Sequence, residues 1–110
     1  MIFDSDGSTT IVFQENTTLS VFLKNLKDAY PKIKNDNIIV NLFSFSKLNA
    51  GDVLEFLQIS EAHRKSKKSF VLVTDKVSYE EVPDKIIVVP TIQEAHDIIE
   101  MEEIERDLDL

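Results

Sequence analysis

Two hydrophobic spacings alternate along this chain. Thr9–Gln14, TTIVFQ, is a β-branched run of strand length, and Asn37–Phe43, Ser69–Thr74 and Lys85–Val89 are short, nearly unbroken apolar runs. Runs of that kind suit strands covered on both faces, as in a parallel sheet. Between them the spacing lengthens to three and four. Leu19, Phe22, Leu23, Leu26 and Ala29/Tyr30 predict an amphipathic helix, capped by the polar run Asn16-Thr17-Thr18 and stopped near Pro31. Val53, Leu54, Leu57 and Ala62, with Phe56 beside them, predict a second helix that starts at Asn49 and ends in the basic run His63–Lys68. Ile92, Ala95, Ile98 and Ile99 predict a last helix, with Thr91 as N-cap and Glu94 as its capping-box partner.

The remaining segments are connections. Met1–Asp4 is short and apolar, and Ser5-Asp6-Gly7-Ser8 after it carries an Asp-Gly turn signal, so the chain is expected to open with an antiparallel hairpin. Asp75–Asp84 is too short and polar for a full helix; Ser78–Glu81 offers a cap signature, and Pro83 limits it to about one turn. The order is β-β-α-β-α-β-(short α)-β-α. It predicts an α/β fold with a mixed, mostly parallel sheet, an N-terminal β-hairpin and a truncated third helix.

At 110 residues the chain fits one domain, spanning 1–110, with 103–110 expected to be an acidic, fraying tail. There is no cysteine, so disulfides, thiolate-ligated zinc and thiol catalysis are excluded. The formal net charge of −8 repels a phosphate backbone, so no nucleic-acid partner is expected. No apolar stretch reaches the ~18 residues that span a bilayer. The chain is expected to be cytoplasmic, with no direct membrane insertion.

The strand NIIVNLF with its helix-initiating turn, the strand SFVLVT, and KIIVVPTIQEAHDII with its T-x-x-E-A helix start give this chain a resemblance to the STAS domain. That family includes anti-sigma factor antagonists and the cytoplasmic ends of sulfate transporters. Its usual turn reads Asp-Ser-Ser-Gly, and a partner kinase phosphorylates a serine there. Laid on this chain, the turn falls on Asn49-Ala50-Gly51-Asp52, a degenerate phosphoacceptor turn with no hydroxyl. The resemblance implies a non-enzymatic module that binds a protein partner, such as an anti-sigma, serine-kinase-like protein. Lys47, Leu48, Asn49, Asp52, Glu55 and Phe56 would form the surface. The other reading is a structural subunit: a homodimer, or an accessory piece of a larger, transporter-associated complex.

Other chemistry finds little support in the residues. Ser44 and Ser46 precede the turn and alternate with Phe43 and Phe45, as at a strand end. His63 and His96 fall on different helices without metal-ligand spacing, so no metal and no cofactor are expected. Glu15 stands alone where a receiver domain would place an acidic pair. No nucleophile elbow and no phosphate-binding glycine loop occur. A hydrolase or transferase built on Asp75 or Asp52 would need a concave pocket beside one of them.

Overall fold

Strand phase decides where everything else sits. In the computed structural model, which describes residues 1–108, five strands lie in the spatial order of their sequence: β1 (Ile2–Asp6), β2 (Thr9–Phe13), β3 (Asn37–Asn41), β4 (Phe70–Val73) and β5 (Ile87–Val89). β1 and β2 are antiparallel, and the rest are parallel. The expected mixed α/β sheet is therefore present. Gly7, at φ +62°, takes the first place of the two-residue hairpin turn, a conformation that a side chain disfavours.

Alternate residues of the central strands face opposite layers. Val12, Ile38, Val40, Phe70, Leu72 and Val88 point to one face, and Ile11, Ile39, Val71, Val73, Ile87 and Val89 to the other. The first face is covered by α1 (Leu19–Ile33), the short α2 (Ala50–Leu54) and α3 (Leu57–Lys65). The second is covered by α4 (Ile92–Leu108) alone, through Ala95 and Ile99. Between β4 and β5 the chain makes only a 3-10 turn, Tyr79–Glu81, capped by Ser78. Among the described residues no helix is long and apolar enough to cross a membrane.

Several boundaries differ from the sequence pattern. α1 runs past Pro31 to Ile33, because burial of Ile33 against the core holds the last turn in place while the proline ring stays on the exposed side. The helix expected to run unbroken from Asn49 is divided: Glu55 and Phe56 separate α2 from α3. The break leaves Phe56 wholly buried, edge-on to Phe22 with centroids 6.2 Å apart. The buried stripe is Val53, Phe56, Ile59/Ser60 and His63, while Leu54 and Ala62 face solvent. Polar residues fill two positions of that stripe because each has a partner. β3 ends at Asn41, whose side chain accepts from the Phe43 amide (3.0 Å) and turns the chain, so Ser44 and Ser46 lie in a loop.

His63 is the most connected of these polar residues. Its Nε2–H donates to the Asp36 carbonyl (2.8 Å), which fixes the tautomer, so Nδ1 accepts from the Tyr30 hydroxyl (2.7 Å). One imidazole thereby ties α3, α1 and the loop before β3. Burial pushes its pKa down, and the charges of Lys68 and Arg64 act in the same direction; the Asp36 carbonyl opposes them without reversing the shift.

α4 is anchored by a second polar knot. Arg64 donates both guanidinium arms to Glu102 (2.7 and 3.2 Å), Ser69 donates to the same carboxylate (2.6 Å), and Arg106 reaches the Ser69 hydroxyl (3.1 Å). Asn37 accepts from the Ser69 amide (2.9 Å) and so joins the starts of β3 and β4 to this knot. Burial alone would raise the Glu102 pKa. The hydrogen bonds from Arg64 and Ser69, with the charges of Arg64 and Arg106, overcome that and hold it below the usual carboxylate range.

Both knots make stability depend on pH. The folded state holds His63 neutral, so as pH falls below about 6.5 the unfolded chain binds the proton first and stability declines. Urea denaturation at pH 7.5 and 5.5 is expected to show this loss, and His63→Gln is expected to flatten the slope across that window. Glu102 contributes stability above the ordinary carboxylate pKa and loses it as pH falls through its depressed value. Glu102→Ala is expected to cost about 2 kcal/mol at pH 7, since it strips charged hydrogen bonds from Arg64 and Ser69.

Candidate functional site

The corner between β3 and α2 is built by reciprocal capping. Asn49 is an extended N-cap residue whose Oδ1 accepts from the Asp52 amide (2.9 Å), and Asp52 Oδ2 accepts from the Asn49 amide (3.1 Å). Two of the donors that a helix start leaves unmet are satisfied within four residues. The carboxylate of Asp52 also lies in the first turn, where the helix dipole favours it. Gly51 sits between them: a Cβ there would come 3.1 Å from Asn49 Oδ1, tighter than ordinary contact. The corner is tight at this position.

The expected surface residues do not all reach the surface. Lys47, Asn49, Gly51 and Glu55 are exposed, and Leu48, Ala50 and Asp52 are half-buried. Leu48 and Ala50 pack down on the core of the α1 side. Phe56 is sealed inside that core, so any surface here is made without it. Sequence spacing put Leu54 in the apolar stripe of the helix, yet it is 42% exposed. Leu54, Leu57 and Glu55, with Lys27, Gln58 and Glu61, line a shallow groove of about 440 Å³ between α1 and the α2–α3 pair. The corner and this groove share Glu55's neighbourhood. Together they offer a small apolar floor under a mixed rim, in which Glu55 and Lys27 stand beside Glu61, itself 3.6 Å from Lys85.

Ser44, the hydroxyl before the corner, donates to the Gln14 carbonyl (2.7 Å), and Phe45 packs edge-on to Phe22 at 5.6 Å. Those two contacts tie the loop to its neighbours, while Phe43, Ser44 and Ser46 remain exposed. His96 lies 3.9 Å from Asp6 across the hairpin, far in sequence and in place from His63, which its two hydrogen bonds occupy.

Asp75 and Asp52 separate clearly. Asp52 is consumed by its cap. Asp75 lines a larger cavity, about 690 Å³, at the carboxyl ends of β4 and β5. The two aliphatic hydroxyls beside it are engaged as acceptors, Thr74 Oγ1 from the Lys76 amide (3.1 Å) and Ser78 Oγ from the Glu80 amide (3.1 Å), and exposed Tyr79 adds a phenol to the lining. Among the described residues, the cavity lining holds no imidazole that would activate either one. Sequence reasoning placed a carboxylate here but not the cavity, which arises because the crossover beside it is so short.

Neither a protein-family model nor a curated protein matches this sequence. The corner's worth as a cap is measurable. Asn49→Ala is expected to lower stability by about 1 kcal/mol, which is several degrees in Tm for a domain of this size. Asn49→Ser, which keeps an acceptor, is expected to retain most of it in the same thermal melts.

Proposed function

We propose that this chain is a non-enzymatic protein-interaction module, resembling a STAS domain, whose corner at Asn49–Asp52 offers fixed shape and charge instead of a covalent switch. The observation that carries the reading is the reciprocal cap. Both polar side chains of the turn are committed to the backbone of α2, and the two residues between them, Ala50 and Gly51, have no oxygen to phosphorylate. A corner of this kind has one permanent state. Its neighbour groove adds exposed Leu54 and half-buried Leu57 beside exposed Glu55, a surface suited to an apolar contact with a cation at its Glu55 end. The partner class that fits is a protein with a complementary basic residue, such as an anti-sigma, serine-kinase-like protein. Regulation then rests with the partner's abundance or its own modification.

A second reading, a homodimer or accessory subunit, draws on a different observation. Every residue of β1 is exposed, and Ile2 and Phe3 stand 59% and 44% open on an edge strand. Unpaired edges of that kind are ready templates for another strand. Sedimentation over a range of concentrations separates the two readings: a constant monomer mass removes the homodimer.

The interaction module is tested by recovering the chain from its native cells and rebinding the purified partner without ATP. Binding is expected to persist, and Leu54→Glu with Glu55→Lys is expected to weaken it by about tenfold or more. Binding that requires phosphate on this chain, detected as an 80 Da increment in its intact mass (roughly the mass of one added phosphoryl group), would overturn the proposal.

A further inference from the structure

The crossover from β4 to β5 lacks the helix that the others carry. Val77, Val82 and Ile86 close the core beneath it, and only the 3-10 turn Tyr79–Glu81 stands beside the last strand. β5 is one of the two edges of the sheet, and the turn packs against it, leaving Val88 5% exposed. The cavity of about 690 Å³ lies along its carboxyl end and falls within the ~300–1,000 Å³ range of binding clefts. It reaches both sides of the strand. Val77 and Val88 belong to the core of the α1 side, and Val89 and Ile98 to the α4 side.

The backbone in this cleft has a defined polarity. The Val89 carbonyl accepts from the Thr74 amide (3.0 Å), so Val89 faces β4. Successive residues of a parallel ladder turn alternately toward and away from the neighbouring strand. Val88 therefore directs its N–H and C=O outward, and among the described residues no turn, loop or cap hydrogen bond reaches either group. Pro90 has no N–H to offer and ends the edge. Charge adds a direction. Asp75, Glu81, Glu94 and Asp97 line the cleft, and the one cation there, Lys76, lies 3.7 Å from Asp75.

We propose that the carboxyl end of β5 receives an extended, basic segment of another protein as a sixth strand. Val88 would supply the main-chain hydrogen bonds. Alternate side chains of the segment would enter the Val77 wall on one face and the Ile98 wall on the other, as strand period requires. Its lysines or arginines would meet the rim carboxylates. A cleft that straddles a strand edge fits an extended chain and not a helix, which would lie on one face. A second copy is disfavoured here, because its own edge strands would bring Asp4 and Asp6 of β1, or the acidic rim of β5, against these carboxylates. The surface is separate from the Asn49 corner, and the proposal stands without the STAS-like reading.

The test uses the full 15N-labelled chain and a capped peptide of about eight residues that alternates valine and lysine. Saturable shifts centred on Val88, Val89 and Thr74–Tyr79 are expected, with amide exchange at Val88 slowed about tenfold. The same peptide with glutamate for lysine is expected not to bind. Glu81→Lys with Asp97→Lys, both exposed positions, is expected to weaken binding by about tenfold while spectral dispersion is kept. Absence of a saturable shift at Val88 at millimolar peptide, equal binding of the glutamate peptide, or shifts centred on β1 or the Asn49 corner would each overturn the proposal.

Discussion

A sheet whose middle strands are apolar on both faces must be covered twice, and this chain has unequal means for doing so. β3 and β4 bury Ile38, Val40, Phe70 and Leu72 on one side and Ile39, Val71 and Val73 on the other. Three helices meet the first demand, and one meets the second. α4 has only Ala95 and Ile99 fully inside, and much of the rest of its length is polar. Apolar area alone gives such a helix a weak hold, at about 25 cal/mol per Å² buried. The Glu102 knot supplies the missing specificity. It pins the far half of α4 to the start of β4 and the end of α3, where hydrophobic contact has run out.

The element order and the strand positions were legible because buried parallel strands leave an apolar run that few other structures produce. The hairpin at Asp6-Gly7 and the caps at Thr18 and Thr91 were legible for the same reason: each is a local signal with a local cause. What failed was helix phase. Reading the second helix by its apolar residues placed Val53 correctly inside but joined it to Leu54, Leu57 and Ala62, whereas the buried stripe runs on from Val53 through Phe56, Ser60 and His63. Ser60 and His63 are polar in isolation and belong to the core only because Lys85, Tyr30 and Asp36 arrive from distant segments to bond them. No window of sequence contains that information. Pro31 misled in the opposite way, since burial of Ile33 outweighed a local breaker.

The candidate surfaces show the same division. The Asn49 cap was readable, since a good N-cap and an acidic residue three positions on are a local pair. The placement of Phe56 inside the core was not, because its partner Phe22 lies on another helix. The cleft at β5 was half readable. The polar, proline-interrupted run 75–84 signalled a missing helix, but its consequence depends on β5 being the edge strand, a fact of sheet order that no single segment carries.

Both surfaces lie at the carboxyl ends of the parallel strands, where helix N-termini gather in an open α/β sheet. That placement sorts the acidic residues by what they face. Asp52 accepts from the Asn49 amide, and Glu94 sits in the first turn of α4; each carboxylate lies against the positive end of its helix. Asp52, bonded back to the Asn49 amide, is committed to the scaffold, while exposed Glu94 also lines the cleft. Glu55 beside the corner, and Glu81 and Asp97 beside the cleft, have no such neighbour and project their charge outward. The net charge of −8 is thus not evenly useful. Asp52 holds the scaffold, and the carboxylates beside the apolar floors give those areas an outward negative field. At physiological salt that field acts within a Debye length of about 8 Å. The field at each area is therefore set by the carboxylates beside it more than by the overall charge of the chain.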